Sequence, residues 1–173
     1  MQKGCKIVYK IGDRIFYPMH GAGMIENIEP KMIAGQMREY YIVKLLCGNI
    51  SVMVPTDSVK ISLRNIIDTK QAEKILAYFK DCKIDRNAPW GKRYKENLER
   101  LKSGDPLEAV EVIKSLMIRE KEAGLSTGDR QILVLSKNIL CSELSIALGR
   151  EISDLQRHLQ EIIDDEVMGV EQK

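Results

Sequence analysis

The chain has 173 residues, 44% hydrophobic and 30% charged, so it can bury one or two cores and is not an intrinsically disordered protein. Its net charge of +2 hides a basic segment, residues 83–103, with seven cations and three anions, and an acidic segment, 161–173, with five anions and one cation. Its four cysteines lie far apart without a C-x-x-C pair, which excludes the usual zinc motifs and favours reduced thiols.

Up to about residue 66 the apolar residues alternate with a period near two, and Gly and Pro interrupt the pattern. We predict strands at 14–17, 23–29, 38–46 and 49–55. Ala34-Gly35 and Gly48-Asn49 can supply the positive φ angles of tight hairpin turns, so consecutive strands should pair as an antiparallel meander. A sheet of this size is typical of a small, strongly curved barrel of SH3 or Tudor type.

From Asp68 onward the apolar period becomes helical, and we predict helices near 69–81, 90–103, 106–123, 127–149 and 152–167. The predicted caps are Asp68 with Gln71, Asp105 with Pro106 and Glu108, Ser126 with Asp129, and the helix-ending glycines Gly104 and Gly124. One predicted buried face comprises Leu107, Val110, Ile113 and Met117. The predicted fold class is therefore α+β with two domains: a small Tudor/SH3-like antiparallel β-barrel over 1–67 and an all-α helical bundle over 68–173.

A search for catalytic motifs finds no nucleophile elbow, P-loop, Rossmann fingerprint or H-E-x-x-H. His20 and His158 are the only histidines, and His20 precedes a Gly-Ala-Gly turn that leads into a strand rather than a phosphate-binding helix. We therefore expect neither an enzyme nor a cofactor, metal or small-molecule substrate. The N-terminus lacks a signal-peptide core and no apolar run has the length a bilayer requires, so we expect a cytoplasmic protein without membrane contact.

Trp90, the only tryptophan, stands in the basic segment Arg-Asn-Ala-Pro-Trp-Gly-Lys-Arg-Tyr-Lys. With Tyr94, Leu98 and Leu101 it forms a single apolar stripe on a helix, which by itself indicates a core residue. Its place in the opening turn and its flanking cations instead favour a ring that reaches DNA, because phosphate contacts can hold a duplex while an apolar wedge enters between its bases. The residues alone leave both interpretations open.

Several segments resemble the RNA-polymerase-interacting domain of the CarD/CdnL family of bacterial transcription regulators: Ile11-Gly12-Asp13, Tyr17-Pro18, His20-Gly21, Glu39-Tyr40-Tyr41 and Val54-Pro55. The run W-x-x-R-Y-K-x-N-L-x-x-L-x-S-G-D, which begins at Trp90, resembles the DNA-contacting helix of that family. Gly124-Leu125-Ser126 resembles the next interhelical turn. The resemblance as a whole covers roughly residues 11–150.

The resemblance implies a regulator without catalytic activity. Its N-terminal barrel would dock on the β subunit of RNA polymerase, and its helical domain would contact promoter DNA at the upstream edge of the transcription bubble. Trp90 would wedge into the minor groove and stabilise the open complex, while Lys92, Arg93 and Lys95 would contact phosphates. In the barrel, Lys31 fills a basic docking position, but Met53 stands where the family commonly has an arginine.

Two other hypotheses stay open. A polymerase-independent, Tudor-like nucleic-acid-binding protein would bind DNA or RNA through its isolated barrel. A protein-only adaptor would grip polymerase as the similar domain of repair-coupling translocases does, and replacing Trp90 would then unfold the helical domain or have no effect.

Overall fold

The computed structural model describes residues 9–57, 63–84 and 93–171. Their strands are β1 (Arg14–Tyr17), β2 (Gly21–Ile33), β3 (Gln36–Leu45), β4 (Ser51–Pro55) and β5 (Arg64–Asn65). They form one antiparallel sheet in the order β4-β3-β2-β1-β5, which is barrel-like but not closed. The predicted order of a small Tudor-like β domain and a helical domain is confirmed. The short strand β5 was not predicted because two residues cannot show an alternating pattern.

Both predicted hairpin turns are confirmed. Ala34 and Gly35 have φ angles of 51° and 76°, and Gly48 and Asn49 have φ angles of 80° and 52°. The β2–β3 hairpin is longer than predicted because the strand continues past Pro30. This proline pairs with Glu39 where β1 no longer flanks β2, so its missing N–H leaves no sheet partner unsatisfied. The inner face of the sheet supplies the core of the β domain, which includes Ile15, Ile25, Tyr41, Val43, Leu45 and Val54.

The helices are α1 (Thr69–Asp81), α2 (Arg93–Lys102), α3 (Pro106–Glu122), α4 (Thr127–Leu148) and α5 (Ile152–Glu171). The capping box at α1 is confirmed: Gln71 N donates to the Asp68 carboxylate at 2.7 Å, and Asp68 N donates to the Gln71 side chain at 3.0 Å. Asp105 caps α3 by accepting from the backbone N–H of Leu107. The predicted partner Glu108 instead forms an ion pair with Arg100.

The five helices share one core, to which α4 contributes five buried residues. Val110, Ile113 and Met117 are buried as predicted, but Leu107 is 42% exposed, because it lies in the first turn of α3 at the edge of the core. Contrary to expectation, α4 is apolar enough to span a bilayer by length and mean hydropathy, which is 1.3 over its best window. Half of that window is buried within the fold, so these values describe a core helix.

The two domains contact each other directly. The backbone N–H of Ala22, at the start of β2, donates to Ser142 Oγ of α4 at 2.9 Å. A Cβ atom on Gly21 would lie only 2.5 Å from the same oxygen. The sheet and α4 therefore approach too closely for any side chain larger than hydrogen at this position.

Replacing Asp68 with alanine removes the acceptor that caps the first turn of α1. We expect the free energy of unfolding to fall by about 1 kcal/mol. Urea denaturation measures this change. The control is Lys74→Ala, because Lys74 is exposed in the middle of the same helix. This variant should change the free energy of unfolding by less than about 0.5 kcal/mol.

Candidate nucleic-acid interface and docking face

Helix α2 is buried at its C-terminal end and exposed at its N-terminal end. Leu101 is 2% exposed within the helical core, whereas Tyr94 is 50% exposed. The Tyr94 ring lies over the first turn of α4, where a Cβ atom on Gly128 would be 3.4 Å from two ring carbons. The apolar stripe that suggested a core helix is therefore buried only at its C-terminal end, near Leu101. Its other end, at Tyr94, is exposed.

Of the four predicted DNA-contacting residues, only Lys95 has a described side chain. Trp90 and Lys92 lie outside the described residues, and Arg93 is described only by its backbone, as the first residue of α2. Lys95 is exposed, and its ammonium group forms no ion pair with any residue in 9–57, 63–84 or 93–171. Lys95, in the first turn of α2, is thus an exposed cation without an ion pair to the described residues.

The cations at the other end of α2 are engaged in contacts within the protein. Arg100 forms ion pairs with Glu108 and Glu111 of α3, and Lys102 Nζ lies 2.7 Å from Glu99 Oε1. A cation held by two carboxylates presents little net charge to a phosphate. Among the described cationic side chains of α2, Lys95 near the N-terminus is therefore the one without an ion pair to the described residues.

Sequence reasoning missed the network around Glu111, because its members lie on three helices and share no local spacing. Tyr78 of α1 donates its hydroxyl proton to Glu111 at 2.6 Å, and Arg100 of α2 binds the other carboxylate oxygen. The hydrogen bond to Glu111 raises the pKa of Tyr78 to about 12. In return, the hydrogen bonds from Tyr78 and Arg100 lower the pKa of Glu111. The network joins α2 to α1 and α3.

The predicted docking residues share the outer face of the sheet. Lys31 pairs with Arg38, and Met53 pairs with Ile42 farther along the same strand, β3. This register separates them by roughly 13 Å along the strands and roughly 10 Å across them. Met53 is 53% exposed, and Lys31 Nζ lies 2.6 Å from a carboxylate oxygen of Glu29, whose pKa the resulting hydrogen bond lowers. The two residues therefore belong to one face without touching.

The remaining candidates for chemistry show no assembled site. No group of three or more His, Cys, Asp or Glu that could hold a metal occurs among the described residues. His20 stacks on Tyr17 in the turn before β2, with ring centroids 4.3 Å apart, and burial lowers its pKa. Cys47, Cys82 and Cys141 are free thiols.

Comparison with known proteins matches both domains. The family model described as "CarD-like/TRCF RID domain" matches residues 9–67, and that described as "CarD, C-terminal domain" matches residues 74–160. A relative from Bacillus subtilis (strain 168), named "Putative transcription factor YdeB", is 36% identical over 143 residues, which are 82% of this chain and 94% of the relative. The chain belongs to the CarD family.

Membership in the CarD family identifies the chain as a transcription regulator. Its N-terminal domain is of the type that interacts with RNA polymerase, and this type is shared with TRCF proteins. The helical match, residues 74–160, includes the whole of α2 and most of the core that supports it.

Replacing Tyr78 with phenylalanine tests the network that supports α2. The pKa of Tyr78 in the folded protein, about 12, lies above the ordinary tyrosine value of 10.0. The stability from this hydrogen bond is therefore complete below about pH 10 and is lost as pH rises through about 12. The variant should be less stable by about 1 kcal/mol near neutral pH. Its stability should also fall less steeply than that of the wild type between these two pH values.

Guanidinium unfolding at a series of pH values measures both effects. The control is Tyr17→Phe, because the Tyr17 hydroxyl forms no side-chain hydrogen bond with the described part of the chain. If the free energy of unfolding changed equally with pH in the wild type and in Tyr78→Phe, the role assigned to the Tyr78 hydroxyl proton would be contradicted.

Proposed function

We propose that this CarD-family protein docks on the β subunit of RNA polymerase through the outer sheet face that carries Lys31 and Met53. It then contacts promoter DNA at the upstream edge of the bubble, where Trp90 acts as a wedge and Lys92, Arg93 and Lys95 bind phosphates. The observation that carries this proposal is the polarity of α2: among its described cations, Arg100 and Lys102 form ion pairs, whereas Lys95, closer to Trp90 in the sequence, forms none with the described residues. The family membership supports the polymerase partner.

The energetics favour a tethered wedge. Unstacking a base step costs a few kcal/mol, and this cost is smallest where the duplex is already opening. A few phosphate contacts give only weak, salt-sensitive affinity without sequence preference. Docking on polymerase raises the effective concentration of the wedge beside the fork, so a weak DNA contact is sufficient. The proposed role requires no catalytic step, cofactor or small-molecule substrate, and it places the protein with polymerase in the cytoplasm.

Replacing Trp90 with alanine should shorten the lifetime of open promoter complexes toward that without the protein, because the wedge that opposes restacking is removed. Replacing Lys95 with alanine should shorten the lifetime less and reduce its dependence on salt, because one phosphate contact is lost. Competitor challenge of complexes formed with the cognate polymerase measures the lifetime.

Lys74→Ala is the charge control for Lys95→Ala, because Lys74 is exposed on α1 rather than α2. Circular dichroism and binding to polymerase establish that each variant is folded and docked. A wild-type protein that binds polymerase but leaves the lifetime unchanged would contradict the proposed function. Tight, sequence-specific binding to promoter DNA without polymerase would favour an independent nucleic-acid binder.

The docking face makes a separate prediction. Met53→Arg should tighten binding to the isolated β subunit, and Lys31→Ala should weaken it. Each should change the dissociation constant by up to about five-fold, because one surface ion pair is gained or lost. Titration calorimetry measures both affinities. Met37→Arg is the matched control, because Met37 is also exposed but lies on the opposite face of β3. Equal tightening by both arginine substitutions would indicate a nonspecific charge effect.

A further inference from the structure

Arg64, on the short strand β5, reaches from the sheet to the end of the proposed DNA-contacting helix. Its Nε and Nη2 atoms donate to the carbonyl oxygen of Gly104 at 3.3 and 2.9 Å. Gly104 follows α2 by two residues and has a φ angle of 72°, which ends the helix. The guanidinium group thus holds the chain where α2 turns into α3.

The same guanidinium group binds a buried carboxylate on α4. Nη2 donates to Glu143 Oε2 at 2.9 Å, and Nη1 donates to Oε1. The Glu143 side chain is only 1% exposed and also accepts from Ile67 N at 3.2 Å, in the segment that connects the two domains. Because an unpaired buried carboxylate is costly, the helical domain requires a cation from the β domain at this point.

Close packing surrounds this contact on both sides. The Arg64 guanidinium lies 3.9 Å from the centroid of the Phe16 ring, on β1. A Cβ atom on Gly104 would lie 3.2 Å from Pro18 Cγ and 3.5 Å from the Phe16 ring. The end of α2 therefore rests directly on the turn after β1. A side chain there would require Pro18 to shift slightly, and the φ angle of 72° separately favours glycine at this position.

We propose that Arg64 is a positioning residue: it fixes α2 against the docking sheet, so that binding to polymerase determines where the Trp90 segment meets DNA. This inference rests on the proposed function. A helix of ten residues is about 15 Å long, so a rotation of about 20° at its Gly104 end moves its first turn by about 5 Å. A wedge displaced by that distance misses the base step it would enter.

Lysine cannot replace arginine in this role. The planar guanidinium supplies several donors in a fixed fork and reaches both Glu143 oxygens and the Gly104 carbonyl at once. An ammonium group can neutralise Glu143 but cannot hold the same planar, bidentate geometry. Arg64→Lys therefore retains the charge balance of the junction while removing its geometric constraint.

The test uses the full-length chain with Arg64→Lys and, separately, the double variant Arg64→Met/Glu143→Leu. The double variant removes both charges together and leaves no buried carboxylate unpaired, so it remains folded if Arg64→Lys does not. Arg14→Lys is the control, because Arg14 is an exposed arginine on β1. Three quantities are measured: the tumbling time of each domain by ¹⁵N relaxation, the affinity for the β subunit, and the open-complex lifetime.

In the wild type and in Arg14→Lys we expect both domains to tumble with one correlation time and the lifetime to be extended. In the two junction variants the correlation times of the two domains should diverge, because the contact of β2 with α4 remains but the fork of hydrogen bonds from Arg64 is lost. The affinity for the β subunit should be unchanged, and most of the lifetime extension should be lost. A folded junction variant that retains the full extension would overturn the positioning role, whichever way its domains tumble.

The failure of the proposed function is distinguishable from the failure of this inference. If the wild type binds polymerase but leaves the lifetime unchanged, both the wedge and the placement role are overturned, and the tumbling times still report whether Arg64 joins the domains. If the wild type extends the lifetime and the junction variants do so equally, only the placement role is overturned.

Discussion

Among the contacts that join the two domains, the one between Arg64 and the buried carboxylate of Glu143 is the contact that we propose fixes their arrangement. Without this cation the helical domain would contain an uncompensated charge, so the β domain is a structural requirement of its neighbour. The same arginine also holds the Gly104 carbonyl at the end of α2. Burial of one charge therefore links the stability of the helical domain to the orientation of the helix that is proposed to contact DNA.

The basic segment illustrates why charge counts describe a surface poorly. Its excess of cations is present in the sequence, but Arg100 is neutralised by two carboxylates from α3. These contacts brace α2 at its buried end, while Lys95 near the other end is exposed and forms no ion pair within the described part of the chain. One set of like-charged residues thus has two tasks, structural support and proposed phosphate binding, and the division follows the exposure gradient from Leu101 to Tyr94.

Met53 marks a position where the docking face of this protein departs from the family pattern. It lies on the same sheet face as Lys31, at the place where the resemblance implies an arginine. A thioether contributes dispersion and apolar burial but no ion pair. We infer that docking at this point relies on apolar contact. Arg38 supplies positive charge on the same face, whereas the charge of Lys31 is shared with Glu29. This separation of apolar and basic positions is compatible with weak docking that the DNA contact reinforces.

The sequence by itself determined the local structure: hairpin turns where Gly48 and Asn49 permit positive φ, the capping box at Asp68, and the change from a period of two to a helical period. These features depend on residues close together in the chain, so their signals are local. The motif from Trp90 likewise identified the candidate interface. Only the tertiary structure paired Arg64 with Glu143, because these residues lie 79 positions apart and charge pairing across such a distance leaves no periodic trace in the sequence.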